Sequence, residues 1–200
     1  MTVAEFMFEL DRYTNTVTSR EQAHVTFWRG SVGQLGLVEL TVPALEVVEV
    51  SEPREIMGAS VTGENIPMSS FKSIRYGGRP RLAEGKLSVA GQHASFSRKT
   101  LRMSRGGRAL KIWAVGREYR YREAGNRRHH VLERPESRIV MARSSASDPK
   151  SISGTAHGAV DSVDISLAIL FEGVYTRNLS LRGALISAPG RFLDGLSSLS

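Results

Sequence analysis

The chain has no cysteine among its 200 residues. Disulfide frameworks and cysteine-based metal sites are therefore excluded, and the absence fits a reducing compartment. It also lacks an apolar run near the ~20 residues that a membrane-spanning helix needs, because the most apolar stretch covers only residues 163–175. The opening MTVAEFMFELDRY is acidic, which argues against a secretory signal or a mitochondrial presequence. We therefore expect a cytoplasmic protein with no transmembrane segment, peripheral to a membrane at most.

Short motifs of enzymes and metal sites are missing as well. SRGGRALK (104–111) lacks the Walker spacing, and the sequence contains no HExxH, GxSxG, GxGxxG or EF-hand pattern. His129 and His130 are adjacent, so on a strand they point to opposite faces and cannot chelate one ion together. The other histidines are scattered, and surface positions are expected for all five. We expect a non-enzymatic protein without cofactor or metal, although an enzyme with a site in a barrel cavity would need no linear motif.

Positive charge is concentrated in the middle of the chain. The net charge is −6 over residues 1–71, +14 over 72–143 and −1 over 144–200, which gives +7 overall. Such asymmetry predicts either pairing between parts of the chain or a positive face for an anionic partner. Arginine outnumbers lysine 22 to 5. That excess fits a GC-rich genome, and it also fits the planar fork with which arginine binds phosphate and carboxylate.

Most of the chain has the pattern of short β-strands. The Gly-Gly pair in RGGR (105–108) predicts a tight hairpin, because glycine accepts the positive φ of such turns. The polar stretch 143–158 predicts a loop that ends in a short strand. Strands at this spacing are typical of an antiparallel barrel or sandwich. Runs rich in β-branched and aromatic residues predict strands over 24–30, 35–42, 45–50, 54–61, 94–104, 109–115, 117–123, 127–133 and 138–142.

The run VDISLAILFEGVY (163–175) predicts a buried helix. Asp161 followed by Asp164 has the form of a capping box with an acidic first turn. A helix that is apolar nearly all round belongs inside a protein. We expect one mainly β domain over residues 1–200, a single antiparallel barrel or sandwich with a buried hydrophobic C-terminal helix. Its parts are an acidic strand-rich part (1–71), a basic β-meander (72–143), a core helix (159–180) and a tail (188–200).

This order of elements resembles the tubby C-terminal and LURP-one-related families, in which a closed antiparallel barrel wraps around such a helix. The matching features are successive strands with tight turns over 94–142 and the capped helix DSVDISLAILFEG (161–173). TLRMSRGGRALKIW (100–113) is similar in rhythm to the families' strand, glycine turn, strand unit. The match covers residues 94–173 and consists of hydrophobic patterns. It implies that the helix is the core around which the sheet closes.

The basic meander contains the candidate site. In REYRYRE (117–123), alternation places Tyr119 and Tyr121 on one face of a strand and the arginines on the other. Cations on neighbouring strands would bind phosphate, above all that of a lipid headgroup. The candidate anion-binding residues are Arg102, Arg105, Arg108, Lys111, Arg120, Arg122, Arg127 and Arg128.

Three alternatives remain open for these cations. They could form a solvated face balanced by acidic residues of the first part, including Glu39, Glu46, Glu49, Glu52 and Glu55. Nucleic acid is a less favoured partner, for which Trp113 and the two tyrosines would offer stacking platforms. A structural protein could instead pair its acidic and basic faces between copies, so a homo-oligomer is possible.

Overall fold

The computed structural model describes residues 5–13, 26–42, 44–48, 54–76, 79–98 and 109–174. These ranges contain one α-helix, α1 (Ser162–Glu172), and fourteen β-strands. The strands are β1 (Phe6–Tyr13), β2 (Thr26–Ser31), β3 (Leu37–Val42), β4 (Ala44–Val48), β5 (Arg54–Gly63), β6 (Ser69–Tyr76), β7 (Arg79–Pro80), β8 (Lys86–Val89), β9 (Gln92–Arg98), β10 (Leu110–Ala114), β11 (Arg117–Ala124), β12 (Asn126–Arg134), β13 (Ser137–Arg143) and β14 (Ser151–Gly158).

Twelve of these strands form a closed antiparallel barrel. Its order is β5-β3-β2-β1-β14-β13-β12-β11-β10-β9-β8-β6, and pairing between β5 and β6 closes the ring. The short strand β4 pairs antiparallel with β5, and the short strand β7 pairs antiparallel with β6. Alternation turns apolar side chains inward along each barrel strand, as the pattern of β13 shows with Ile139 and Met141 buried. The predicted mainly β fold with a buried C-terminal helix is confirmed.

The helix α1 runs through the inside of the barrel. Residues 164–172 are all buried, and the helix contacts β5 and β6 on one side of the barrel and β12 and β13 on the other. The predicted capping box is present: Asp161 accepts hydrogen bonds from the backbone N–H groups of Val163 and Asp164. The helix is shorter than the predicted 159–180, because it begins after Asp161 and ends before Gly173. Residues 175–180 and the predicted tail lie outside the described ranges.

The segment 143–158 differs most from its prediction. Instead of a loop with a short terminal strand, it contributes the eight-residue β14, which lies between β13 and β1 in the ring. Its inward positions are Ile152, Gly154 and Ala156. Because two of the three are small, the sequence does not show the alternation of apolar and polar residues that marks a strand. Gly154 is opposite Phe8 on β1, and a Cβ on Gly154 would lie 2.2 Å from the ring of Phe8. The glycine therefore makes room for an aromatic ring in the core.

The nine other predicted strands overlap β2–β5 and β9–β13, so their positions are confirmed within the described residues. β9 and β10 pair antiparallel, as the hairpin prediction requires, while the predicted turn at 105–108 lies outside the described residues. The sequence reasoning missed β1, β6 and β8, which complete the ring. In the described part of the chain, no helix has both the length and the apolar character needed to cross a membrane.

Candidate anion-binding surface

The interior of the barrel is occupied by the helix. Phe171 packs between Phe71 of β6 and Tyr121 of β11, with ring centroids 6.2 and 5.1 Å apart. Ser166 of the helix also donates a hydrogen bond from its Oγ to Oγ of Ser69 on β6, at 2.7 Å. Since the helix packs on opposite walls of the barrel, we expect binding surfaces at the ends of the barrel or on its outside.

One end of the helix is fixed by a buried ionic cluster. Glu172, the last helical residue, accepts hydrogen bonds from Nε of Arg143 and, at 2.9 Å, from Oη of Tyr121. Nδ1 of His130 lies 3.2 Å from the same carboxylate. Burial alone would raise the pKa of Glu172, but Arg143 and His130 outweigh it and hold this pKa well below its ordinary value. His130 is thus a core residue, and its predicted surface position is wrong.

The other end of the helix is also held by arginines of the meander. Arg134 donates hydrogen bonds to the buried carboxylate of Asp164 at 2.9 and 3.0 Å. Arg117 donates to Asp161. Burial would raise the pKa of Asp161, but Arg117 and the backbone N–H groups of the first helical turn lower it below its ordinary value. These cations of the basic segment therefore stabilise the helix, a role that the sequence reasoning did not assign.

The predicted site residues are only partly brought together. Lys111 and Arg120 are directly opposite each other on the outside of β10 and β11. Arg122 follows on the same face, 3.4 Å from the carboxylate of Glu133. Arg127 and Arg128 lie at the start of β12, farther along the barrel, where Nη1 of Arg128 is 3.5 Å from the carbonyl oxygen of Ser144. Arg102, Arg105 and Arg108 lie outside the described residues.

Carboxylates of the same strands neutralise part of this set. Nζ of Lys111 is 3.2 Å from Glu118, and Nε of Arg120 is 3.9 Å from the same carboxylate. In one alternative, five acidic residues of the first part balance the basic segment. One of them, Glu39, pairs instead with Arg29 on β2, with 3.5 Å between its Oε2 and Nε of the arginine. The side chains of the other four, at 46, 49, 52 and 55, lie outside the described part of the structure.

The aromatic residues divide between the two faces. Tyr119 and Tyr121 share one face of β11, as alternation predicted, and that face is buried in the core, so they offer no stacking platform for bases. Burial and the charge of Asp164 raise the pKa of Tyr119 to about 12. Trp113 is the exposed aromatic of β10, with 39% of its surface accessible, and Nζ of Lys111 lies 5.8 Å from its ring centroid.

Two further cations were missed by sequence reasoning. Lys72 of β6 and Lys86 of β8 are directly opposite each other, and both are exposed. No ion pair involves either lysine within the described ranges. The alternation in SSFKSIRY and KLSV could have placed each lysine on an outer face, but their pairing depends on the register between strands that are not consecutive in the chain.

Hydroxyl groups surround this lysine pair. At the outward positions of β6, β8 and β9 whose side chains the structure describes, the two lysines are accompanied by four serines, one histidine and one isoleucine, none of them acidic. They are Ser70, Ile74, Ser88, His93, Ser95 and Ser97. Ser95 and Ser97 are opposite Trp113 and Lys111, which join this area to β10. We call Lys72, Lys86, Ser95, Lys111 and Trp113 the basic exterior face.

Comparison of the chain with known proteins finds no matching family model, no matching curated protein and no matching solved structure.

Proposed function

We propose that the protein is a non-enzymatic binding protein that recognises a phosphate-bearing anionic partner through the basic exterior face. The shared chemistry is that of a phosphate group, whether on a lipid headgroup or on a free solute. Ammonium groups supply charge, and neighbouring serine hydroxyls can donate hydrogen bonds to phosphate oxygens.

The opposed pair Lys72 and Lys86 carries the proposal. Like charges directly opposite each other across strands destabilise a sheet, and no outward carboxylate on β6, β8 or β9 offsets them. A bound anion would remove this repulsion. The helix inside the barrel supports an exterior site, since a ligand within the barrel would have to displace packed side chains.

The form of the ring supports a wider proposal as well. A closed barrel around one helix is the arrangement that the resemblance to the tubby C-terminal and LURP-one-related families implies, and this chain has that arrangement. Kinship with those families is proposed on the order of elements and the capped helix.

Peripheral attachment to an anionic membrane fits the basic exterior face, because each lysine or arginine near such a surface contributes about 1 kcal/mol to the binding free energy.

Vesicle cosedimentation tests the proposal at low and high salt. Phosphatidylcholine vesicles with phosphatidic acid should bind the protein, and pure phosphatidylcholine vesicles should not. Lys72→Glu with Lys86→Glu should weaken binding by at least roughly 30-fold, because loss of the two cations alone is worth about 2 kcal/mol and the new carboxylates add repulsion, whereas the exposed control Lys150→Glu should not. Competition by soluble glycerol phosphate would assign the site to the phosphate group itself.

Three outcomes, from vesicle cosedimentation, light scattering and nucleic-acid binding, distinguish this proposal from its alternatives. Equal binding by wild type and the double variant would overturn the proposal for this face. Salt-sensitive oligomers in light scattering, with no vesicle binding, would favour self-association through complementary charges instead. Binding to single-stranded nucleic acid without binding to vesicles would favour the nucleic-acid alternative.

A further inference from the structure

A second candidate surface lies outside β11–β14, at the end of the barrel where the helix begins. It is an open groove of about 820 Å³. Across its floor, one residue from each strand forms a cross-strand row: Arg120, Glu133, Arg138 and His157. The turn at Pro135 and Glu136 forms one wall. The groove therefore alternates positive and negative groups, unlike the basic exterior face.

Most charges in the groove already have partners. Arg122 holds the carboxylate of Glu133 from the neighbouring strand, at 3.4 Å. Arg134 holds that of Glu136. Glu118 is engaged by Lys111 at 3.2 Å. Arg134 also holds the buried Asp164, so it neutralises Glu136 only in part, and the groove lining contains as many glutamates as arginines.

Arg120 and Arg138 are the arginines of the groove floor whose charges are least engaged by carboxylates. Arg120 is 60% exposed and reaches no carboxylate closer than 3.9 Å, while Arg138 is exposed and takes part in no ion pair among the described residues. The two arginines flank Glu133 on either side, one strand away each. At the usual spacing of neighbouring strands, their backbones are roughly 10 Å apart. A ligand with two separated anionic groups can contact both arginines at once.

The carboxylates in the groove select among such ligands. A dense polyanion such as a nucleic acid or polyphosphate would meet Glu118, Glu133 and Glu136 at close range, and their repulsion would offset its gain. An extended peptide instead alternates side chains every ~7 Å on one face and presents backbone N–H groups between them, which carboxylates can accept. Arginine also binds carboxylate groups bidentately. Charge complementarity thus favours a peptide with spaced acidic residues.

We propose that this groove binds an extended acidic peptide segment, with one carboxylate on Arg120, another on Arg138 and a neutral or hydrogen-bond-donating residue above Glu133. The site is separate from the basic exterior face, and its ligand class is different. Its occupant would cross the four strands on the outside of the barrel, since the closed ring leaves β11–β14 no free edge to which a strand could be added.

Fluorescence anisotropy with labelled glycine–serine peptides tests the proposal. The probe carries two glutamates four positions apart with a serine midway. These glutamates are about 14 Å apart in an extended chain, and the long arginine side chains would span the difference from backbones roughly 10 Å apart. One control has glutamine at both positions, and a spacing control has adjacent glutamates. We expect binding of the probe in low salt, at least tenfold weaker binding of both control peptides, and a loss of at least tenfold on Arg120→Gln or Arg138→Gln. Lys150→Gln, which removes the same charge elsewhere, should bind like wild type.

The outcome is independent of the proposed function. Arg138→Gln should still bind phosphatidic acid vesicles, and the Lys72→Glu, Lys86→Glu variant should still bind the acidic peptide. Equal affinity for the glutamate and glutamine peptides would overturn the proposal, as would a loss on Lys150→Gln as large as that on Arg138→Gln. Tighter competition by polyphosphate than by the acidic peptide would also overturn it and assign the groove to polyanions.

Discussion

Nε of Arg143, at the end of β13, donates a hydrogen bond to Oε2 of Glu172, the last residue of the helix. Nη2 of the same arginine donates to the backbone carbonyl of Glu172 at 3.1 Å. Apolar contacts alone would tolerate sliding of the helix along the barrel axis, because they have no direction. We infer that this charged pair sets the depth at which the helix sits.

Arg143→Met should lower the free energy of unfolding by about 3–5 kcal/mol, because it leaves the carboxylate of Glu172 buried with less compensation. Combining Arg143→Met with Glu172→Leu should restore part of the loss, since an apolar pair avoids desolvating two charges. Urea denaturation of the single and double variants measures both values. A double variant less stable than Arg143→Met would contradict the expectation.

Acid should destabilise the protein through Glu172. The pKa of this residue is held below its ordinary value in the folded state, so its contribution to stability is fully present above the ordinary value near 4.5. The contribution is lost as the pH falls below that value toward the folded pKa. Glu172→Gln should therefore flatten the decline of stability between neutral and acid pH. Denaturation at a series of pH values checks this, and Glu9→Gln, at an exposed position on β1, should leave the decline unchanged.

Leu170→Ala should cost about 2–5 kcal/mol, the usual cost of a large-to-small change in a core. Its side chain is fully buried inside the barrel. Leu37→Ala provides the control, because Leu37 is 40% exposed and the change should cost far less. Thermal and chemical denaturation of both variants give the comparison. A loss for Leu170→Ala no greater than that for the control would refute the central position of the helix.

Asp161→Ala should cost about 1 kcal/mol through loss of the helix cap. Asp161→Ser keeps an oxygen that accepts the backbone N–H groups but removes the charge that Arg117 contacts. The free energy of unfolding of the serine variant should therefore lie between those of wild type and the alanine variant. The difference between serine variant and wild type measures the contribution of the ion pair with Arg117. Equal stability of all three proteins would show that the cap contributes nothing measurable.

Alternation explains why much of the barrel was predictable. Tyr119 and Tyr121 alternate with arginines, so the inner and outer faces of β11 follow from the sequence, and the acidic start of the helix marked its cap. β14 was underestimated because Gly154 and Ala156 occupy inward positions where larger residues would reveal the pattern. Small residues suit a strand here only because an aromatic ring from β1 fills the space.

The candidate surfaces were harder to predict than the fold. Arg143 continues the inward phase of Ile139 and Met141, so its burial could have been inferred from the spacing within β13. The opposition of Lys72 and Lys86 could not, because β7 and a turn separate their strands and the register is set by the closed ring. The composition of the chain showed which segment carries the positive charge. Only the pairing of the strands showed which of its cations hold the helix and which are exposed.

The position of the helix has a consequence for synthesis on the ribosome. Phe6 near the start of the described chain is opposite Ala156, and the helix that fills the barrel follows only after that last strand. The ring can neither close nor enclose its core until the whole stretch from β1 to the helix has left the exit tunnel. Pairings this distant in sequence make folding slow, and the nascent strands would present unpaired edges for the whole of that time. We expect the protein to depend on chaperones during translation, and its slowest folding step to be insertion of the helix with closure of the ring around it.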